Sequence, residues 1–209
     1  DFIVSKSNEE AYLWVKGWPQ WPSPRVAIYG ERGCGKTHLS SIWQSLSNAC
    51  YLRAEDFDAL PLERLFEGPG LYVLDDAHLI KREEKFFHFY NHLMSIKGNL
   101  LLLSLEAPAH WKVALPDLQS RLNAIPAIKI LPPDEALLTQ VIQKLFNDLQ
   151  VKVDEAVIYF LIKHMERSFD SARLWAAALN RFAMTQKREI TIPLVREILS
   201  SPEGVEKYR

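Results

Sequence analysis

The stretch Gly30-Glu31-Arg32-Gly33-Cys34-Gly35-Lys36-Thr37 stands between a short apolar run, residues 25–29, and a helical pattern over 37–46. It satisfies G-x-x-x-x-G-K-[ST] at every position, in the strand-then-helix context that gives the pattern its meaning. Glycines let the backbone curl so that successive N–H groups point inward at phosphate oxygens. The helix that follows adds its positive amino end. A lysine at position 36 reaches the β- and γ-phosphates, and the Thr37 hydroxyl is placed to ligate Mg²⁺. His38 follows directly. The segment therefore reads as a loop that holds nucleotide phosphates.

Outward from this loop, apolar runs of strand length recur at 25–29, 49–54, 71–74, 100–105 and 127–131, each closed by Gly, Pro or Asp or by a polar stretch. Near-continuous apolarity over so few residues marks strands buried on both faces. Helical patterns fall between them, at 37–46 and at 81–97, where Phe86, Phe89, Tyr90 and Leu93 share a face. Strands alternating with helices predict an α/β fold: a parallel five-stranded sheet with helices on both faces. The third run, Leu71-Tyr72-Val73-Leu74, ends in Asp75-Asp76. That puts Asp75 at the carboxyl end of a buried strand, where open α/β sheets bind ligands. Asp75 is then placed to bind Mg²⁺ through water, and Asp76 to orient an attacking water. A strand ending at a plain Asp turn has the same local pattern; the phosphate loop upstream favours the first reading.

The pattern changes after Pro132-Pro133. Residues 134–149, 154–165 and 170–184 are helical, and a short fourth helix follows Thr191-Ile192-Pro193, with proline in its first turn. Leu138, Val141, Ile142, Leu145 and Leu149 share one face of the first of these. Asp154 is a natural N-cap for the second. The expected organisation is an α/β nucleotide-binding domain over 1–132 and a small all-helical lid domain over 133–209.

Composition narrows the function classes. With 25 basic and 26 acidic residues the net charge is −1, which lacks the basic excess of a protein that grips duplex DNA. No apolar run approaches the roughly 20 residues of a membrane helix, and no signal-peptide pattern opens the chain, so a cytoplasmic location is expected. The two cysteines, Cys34 and Cys50, lack metal-ligand spacing. His88 and His92 are four residues apart, a spacing that suits zinc, but no third ligand accompanies them, and they read as packing or exposed side chains.

Taken together, these motifs resemble the AAA+ ATPases of the DnaA/Hda family of bacterial replication proteins, most closely the short Hda-type members. Asp1-Phe2-Ile3-Val4 is similar to the family's opening segment, which packs on the adenine, so Ile3 and Val4 join the nucleotide-binding set. Leu115-Pro116-Asp117-Leu118-Gln119-Ser120-Arg121-Leu122 resembles the segment that carries the arginine finger. The run Thr191 to Leu199 is strongly Hda-like. The resemblance implies three further roles. Ser104 matches sensor 1, although a buried serine bonded to backbone fits the same position. Arg121 matches a finger that acts in trans on a neighbouring subunit's nucleotide, the alternative being an ordinary surface arginine. Arg173 matches sensor 2 on the lid.

The cofactors implied are ADP or ATP with Mg²⁺. Glu31 and Arg32 depart from the family's small loop residues and are expected to point outward. Asp76 stands where many AAA+ enzymes carry glutamate, so at most weak intrinsic ATPase activity is expected. The chain reaches Arg209 just past the lid segment, so no specific duplex DNA binding is expected. The implied function is regulation of chromosomal replication initiation, by promoting ATP hydrolysis in the DnaA initiator together with the sliding clamp. Clamp docking would run through an N-terminal segment outside this sequence, and homo-oligomers are a further expectation. The alternative is a self-acting ATPase switch, loader or recruitment adaptor in DNA replication.

Overall fold

The computed structural model describes residues 2–200; Asp1 of the opening segment and the tail 201–209, assigned above to the lid, lie outside the described residues. The first half of the chain runs α1 (Glu9–Lys16), β1 (Arg25–Tyr29), α2 (Lys36–Ser47), β2 (Cys50–Arg53), α3 (Ala54–Ala59), α4 (Leu62–Phe66) and β3 (Leu71–Asp75). It continues through α5 (Glu83–Ser95), β4 (Asn99–Ser104), α6 (Pro116–Asn123) and β5 (Ala127–Lys129). The five strands form one parallel sheet in the order β2-β3-β4-β1-β5, so β1 lies inside the sheet between β4 and β5.

Alternation along β1 shows how the sheet is covered. Val26 and Ile28 pack toward α1 and α2 with Leu39 and Trp43, all fully buried. Ala27 faces the other way, toward Phe57 of α3, Phe89 and Leu93 of α5, and Leu118 and Leu122 of α6. Both faces are thus sealed by helices, which is why the strands carry no polar alternation. On the α1 side, Trp21 stacks on Trp43 at 5.0 Å and donates its indole N–H to the Trp14 carbonyl. Because every strand runs the same way, the carboxyl ends gather at one edge. In-register pairing sets Tyr29 beside Ser104, and Arg53 beside Asp75.

The second half is helical among the described residues: α7 (Glu135–Asp148), α8 (Glu155–His164), α9 (Phe169–Gln186) and α10 (Ile192–Leu199). Side-chain caps start three of them. Asp134 accepts from the Leu137 N–H at 2.7 Å, Asp154 from Ala156 at 2.9 Å, and Ser168 from Ser171 at 3.1 Å. Each satisfies an amide that has no partner within its helix. These helices close around their own core, in which Leu138, Ile142, Leu161, Leu179, Leu194 and Val195 are fully buried. No helix among the described residues is long and apolar enough to cross a membrane.

Candidate functional site

The loop after β1 turns twice through left-handed backbone, at Gly33 (φ 69°) and Gly35 (φ 101°), and delivers Lys36 as the first residue of α2. Only glycine takes such angles without a steric penalty. Lys36 is buried, and its ammonium donates to the Gly30 carbonyl at 2.7 Å and the Glu31 carbonyl at 2.8 Å. This staples the loop over the end of the sheet. Gly30 is anchored by donating its N–H to the Ser104 carbonyl at 3.2 Å.

Asp75, buried at the end of β3, collects three donors. They are the Thr37 hydroxyl at 3.2 Å, the Tyr51 hydroxyl at 2.5 Å and the Asp76 N–H at 2.9 Å. Tyr51 stands opposite Val73 in the β2–β3 register, and Asp75 follows two residues on, on the same face of the sheet. Burial, and then the adjacent carboxylate, push the Tyr51 phenol well above its ordinary pKa, so it stays protonated and donates. Asp76 takes a left-handed turn (φ 52°) that carries its side chain out of the strand direction.

The start of α9 lies directly on this loop. The Phe169 N–H donates to the Gly33 carbonyl at 2.9 Å. One residue on, Asp170 pairs with Arg173 at 2.6 Å. A Cβ at Gly33 would lie 2.9 Å from the Asp170 carboxylate and 3.1 Å from the Ser168 Cβ. Gly33→Ala is therefore expected to lower the melting temperature, by roughly 2–8 °C. That follows from a left-handed penalty of about 1–2 kcal/mol and about 2–4 °C per kcal/mol in a chain of this size. A melt matching wild type would mean that the loop and α9 do not pack as described.

Between the loop, the opening segment and α7 lies a cavity of about 520 Å³, within the range of small-ligand sites. Its lining combines polar side chains, Lys36, Thr37 and Arg173 among them, with apolar ones such as Phe2, Val141 and Leu145. Gly33, Gly35, His38 and Ile3 also line it. Burial and then the nearby positive charges, Arg173 and Lys144 among them, hold the His38 imidazole below its usual pKa.

Other residues of the expected set lie elsewhere. Val4 is 42 % exposed and does not line the cavity, because the chain turns there: Asn8 clamps the Ile3 carbonyl at 3.1 Å and the Ser5 N–H at 2.9 Å. The exposed side chains of Glu31 and Arg32 likewise stay outside it. Cys34 is buried beneath the loop, and burial raises its thiol pKa. Ser104 is fully buried and donates its hydroxyl to the Glu106 carbonyl at 2.7 Å, which is the backbone-bonded geometry of the two weighed for it. His92 stacks on Phe66 at 4.1 Å.

Arg121 is remote from the cavity. Its guanidinium carbon lies 5.6 Å from the Phe87 ring centroid and 5.7 Å from that of Tyr90, and Tyr90 is also covered by Arg25 at 5.1 Å. Arg25 is the first residue of β1, while the phosphate loop follows the last. Four strand steps of about 3.3 Å, roughly 13 Å, separate the two ends.

Several residues of the cavity and its supports were not legible as such. In sequence Tyr51 is one member of an apolar run, Asp170 only the start of a helical stretch, and Val141 and Leu145 part of one helical face.

The loop, the paired Asp75 and the appended helical unit define the class: a P-loop protein with the AAA+ fold. A family model described as "Hda, lid domain" matches residues 135–199. The replication initiator DnaA of Campylobacter curvus is 25% identical over 225 residues, covering 95% of this chain and 51% of its own. That of a Ruegeria species is 28% identical, covering 95% and 49%. The chain thus spans about half the length of the curated relatives it matches.

Among solved structures, domain III of Thermotoga maritima DnaA superposes with a TM-score of 0.80 at 20% identity, covering 96% of this chain and 95% of that one. A DnaA bound to AMPPCP and single-stranded DNA gives 0.75 at 20% identity, covering 95% and 68%. The chain is thus similar to DnaA over nearly its whole length and to Hda over its helical unit.

Proposed function

We propose that the chain is an adenine-nucleotide-binding regulator of chromosomal replication initiation, which acts with the sliding clamp to promote ATP hydrolysis by the initiator DnaA. One observation carries this reading. The residues suited to holding a nucleotide converge on one cavity, whereas Arg121 projects from the opposite end of the sheet, where it cannot serve that cavity. The "Hda, lid domain" match and the nucleotide-bound DnaA neighbour point the same way.

In this reading Lys36 exchanges its two carbonyl partners for β- and γ-phosphate oxygens, and the glycine-rich backbone donates its N–H groups to them. Phe2, Ile3, Val141 and Leu145 hold the base. Arg173 leaves Asp170 to meet the phosphates of its own chain's nucleotide, ADP in the resting state. Thr37 and Asp75 offer oxygen donors side by side, a set that fits Mg²⁺; when bound, the ion neutralises phosphate charge. Asp76 orients water only weakly from its short side chain, and Ser104 backs the loop through its carbonyl.

The test is turnover of DnaA-bound ATP, with and without this protein and a DNA-loaded clamp. Acceleration that requires both additions supports the proposal. Unchanged DnaA turnover, with ATP consumed instead by this protein alone, would show a self-acting ATPase.

A further inference from the structure

An arginine opening an interior strand needs an explanation. Arg25 shares its sheet face with Ala27, so it points toward α5 and α6 rather than toward solvent. Its residue exposure is 8%. Its Nε and Nη2 are buried without a hydrogen-bond acceptor among the described residues. Neither Arg25 nor Arg121 takes part in an ion pair there. The groups that do touch them are neutral: Tyr90 for both, and for Arg121 also Phe87 and the Met94 sulfur at 3.1 Å.

Buried charges in proteins are as a rule paired, because desolvation is costly otherwise. Here two guanidiniums share one ring, and no carboxylate among the described residues pairs with either. The two distances to the Tyr90 centroid, 5.1 and 5.7 Å, keep the two charges within 10.8 Å of one another. In a chain of net charge −1 this is a local excess without a counter-ion among the described residues. Met94, whose sulfur meets Arg121, is itself 44% exposed, an apolar margin of the kind a partner covers.

We infer that Arg25, Tyr90, Phe87 and Met94 form a seat that presents Arg121 to a phosphate group held by a partner chain. In this seat Arg25 acts as a positioning residue, whose uncompensated charge keeps the Arg121 guanidinium turned outward. The planar fork of arginine suits adjacent phosphate oxygens, and the aromatic and thioether surface behind it limits its rotamers. Arriving phosphate supplies the missing counter-charge to both. The inference rests on the trans role proposed for Arg121.

The experiment has two arms. In the first, the ¹⁵N side-chain Nε–Hε signals of both arginines are followed in the full chain saturated with ADP while inorganic pyrophosphate is added. Saturable shifts of both, absent from Arg25→Met and not reproduced by acetate at equal ionic strength, support the seat. No shift, or an equal response to acetate, overturns it.

In the second arm Arg25→Met and Arg25→Lys are compared with wild type. Removing an unpaired buried charge while keeping volume should raise the melting temperature of Arg25→Met by about 2–4 °C. The same change should lower maximal stimulated DnaA turnover about tenfold, and Arg25→Lys should restore most of it. A lower melting temperature for Arg25→Met would indicate a plain structural role and overturn the inference. So would full stimulation by Arg25→Met where Arg121→Ala has none, and the trans reading would then stand alone. If Arg121→Ala itself stimulates normally, the trans reading fails and the inference falls with it.

Discussion

Arg121→Ala is expected to abolish stimulation of DnaA-bound ATP hydrolysis, a loss on the order of 10³-fold, while leaving this protein's own nucleotide affinity and folding intact. The expectation follows from position. Arg121 rests on Phe87, Tyr90 and Met94, and Tyr90 also carries Arg25 from the amino end of β1. Arg121 is not among the residues that line the cavity. Arg173 is the natural control, since it lines that cavity and is tied to Asp170 beside Gly33. Arg173→Ala should weaken the protein's own nucleotide binding first, on the order of tenfold, as befits one charge-assisted hydrogen bond. The comparison scores both variants for nucleotide affinity by calorimetry and for DnaA turnover. Equal losses of own-nucleotide affinity in the two variants would place Arg121 in cis and sink the assignment.

Lys36→Ala should reduce affinity for ADP and ATP at least tenfold, equivalent to about 1.4 kcal/mol. Two effects combine. The side chain is a buried cation beneath the loop, and its ammonium also cross-links the loop through the Gly30 and Glu31 carbonyls. Truncation therefore removes a phosphate contact and frees two carbonyls that were satisfied. A melt without nucleotide separates the two effects: a drop there reports the cross-link, and the remaining loss in affinity reports the phosphate contact. Unchanged affinity for both nucleotides by calorimetry would remove the cavity from consideration as the nucleotide site.

The phosphate loop and the fold were legible because each rests on short-range rules. Glycine spacing announces a turn that only glycine can make, and Gly33 and Gly35 make it. Unbroken apolar runs announce strands covered on both faces, and the sheet has them at the expected places. Asp154 as a cap and Pro193 in a first turn are equally local, and both are found. The third helix of the helical unit begins at Phe169, one residue before the expected 170, with Ser168 as its cap. Whether a residue caps depends on which amide the backbone turns toward it.

Periodicity marks which side of a helix is covered, but it cannot say by what. Leu138, Val141, Ile142 and Leu145 share a stripe on α7, yet Leu138 and Ile142 are fully buried in the core while Val141 and Leu145 pack at its edge and also line the cavity. Tyr51 was one apolar residue among several until strand pairing set it next to Asp75. Asp170 became a neighbour of the phosphate loop only because α9 docks its first turn on Gly33.

By itself the sequence determined the phosphate loop, the parallel sheet and the helical unit that follows, since these depend on residue type and spacing along a few consecutive positions. Which residues wall the cavity, which support Asp75, and which end of the sheet holds Arg121 were decided only by tertiary structure. Those facts depend on packing between segments far apart in the chain, and no local pattern of polarity encodes the identity of a distant neighbour.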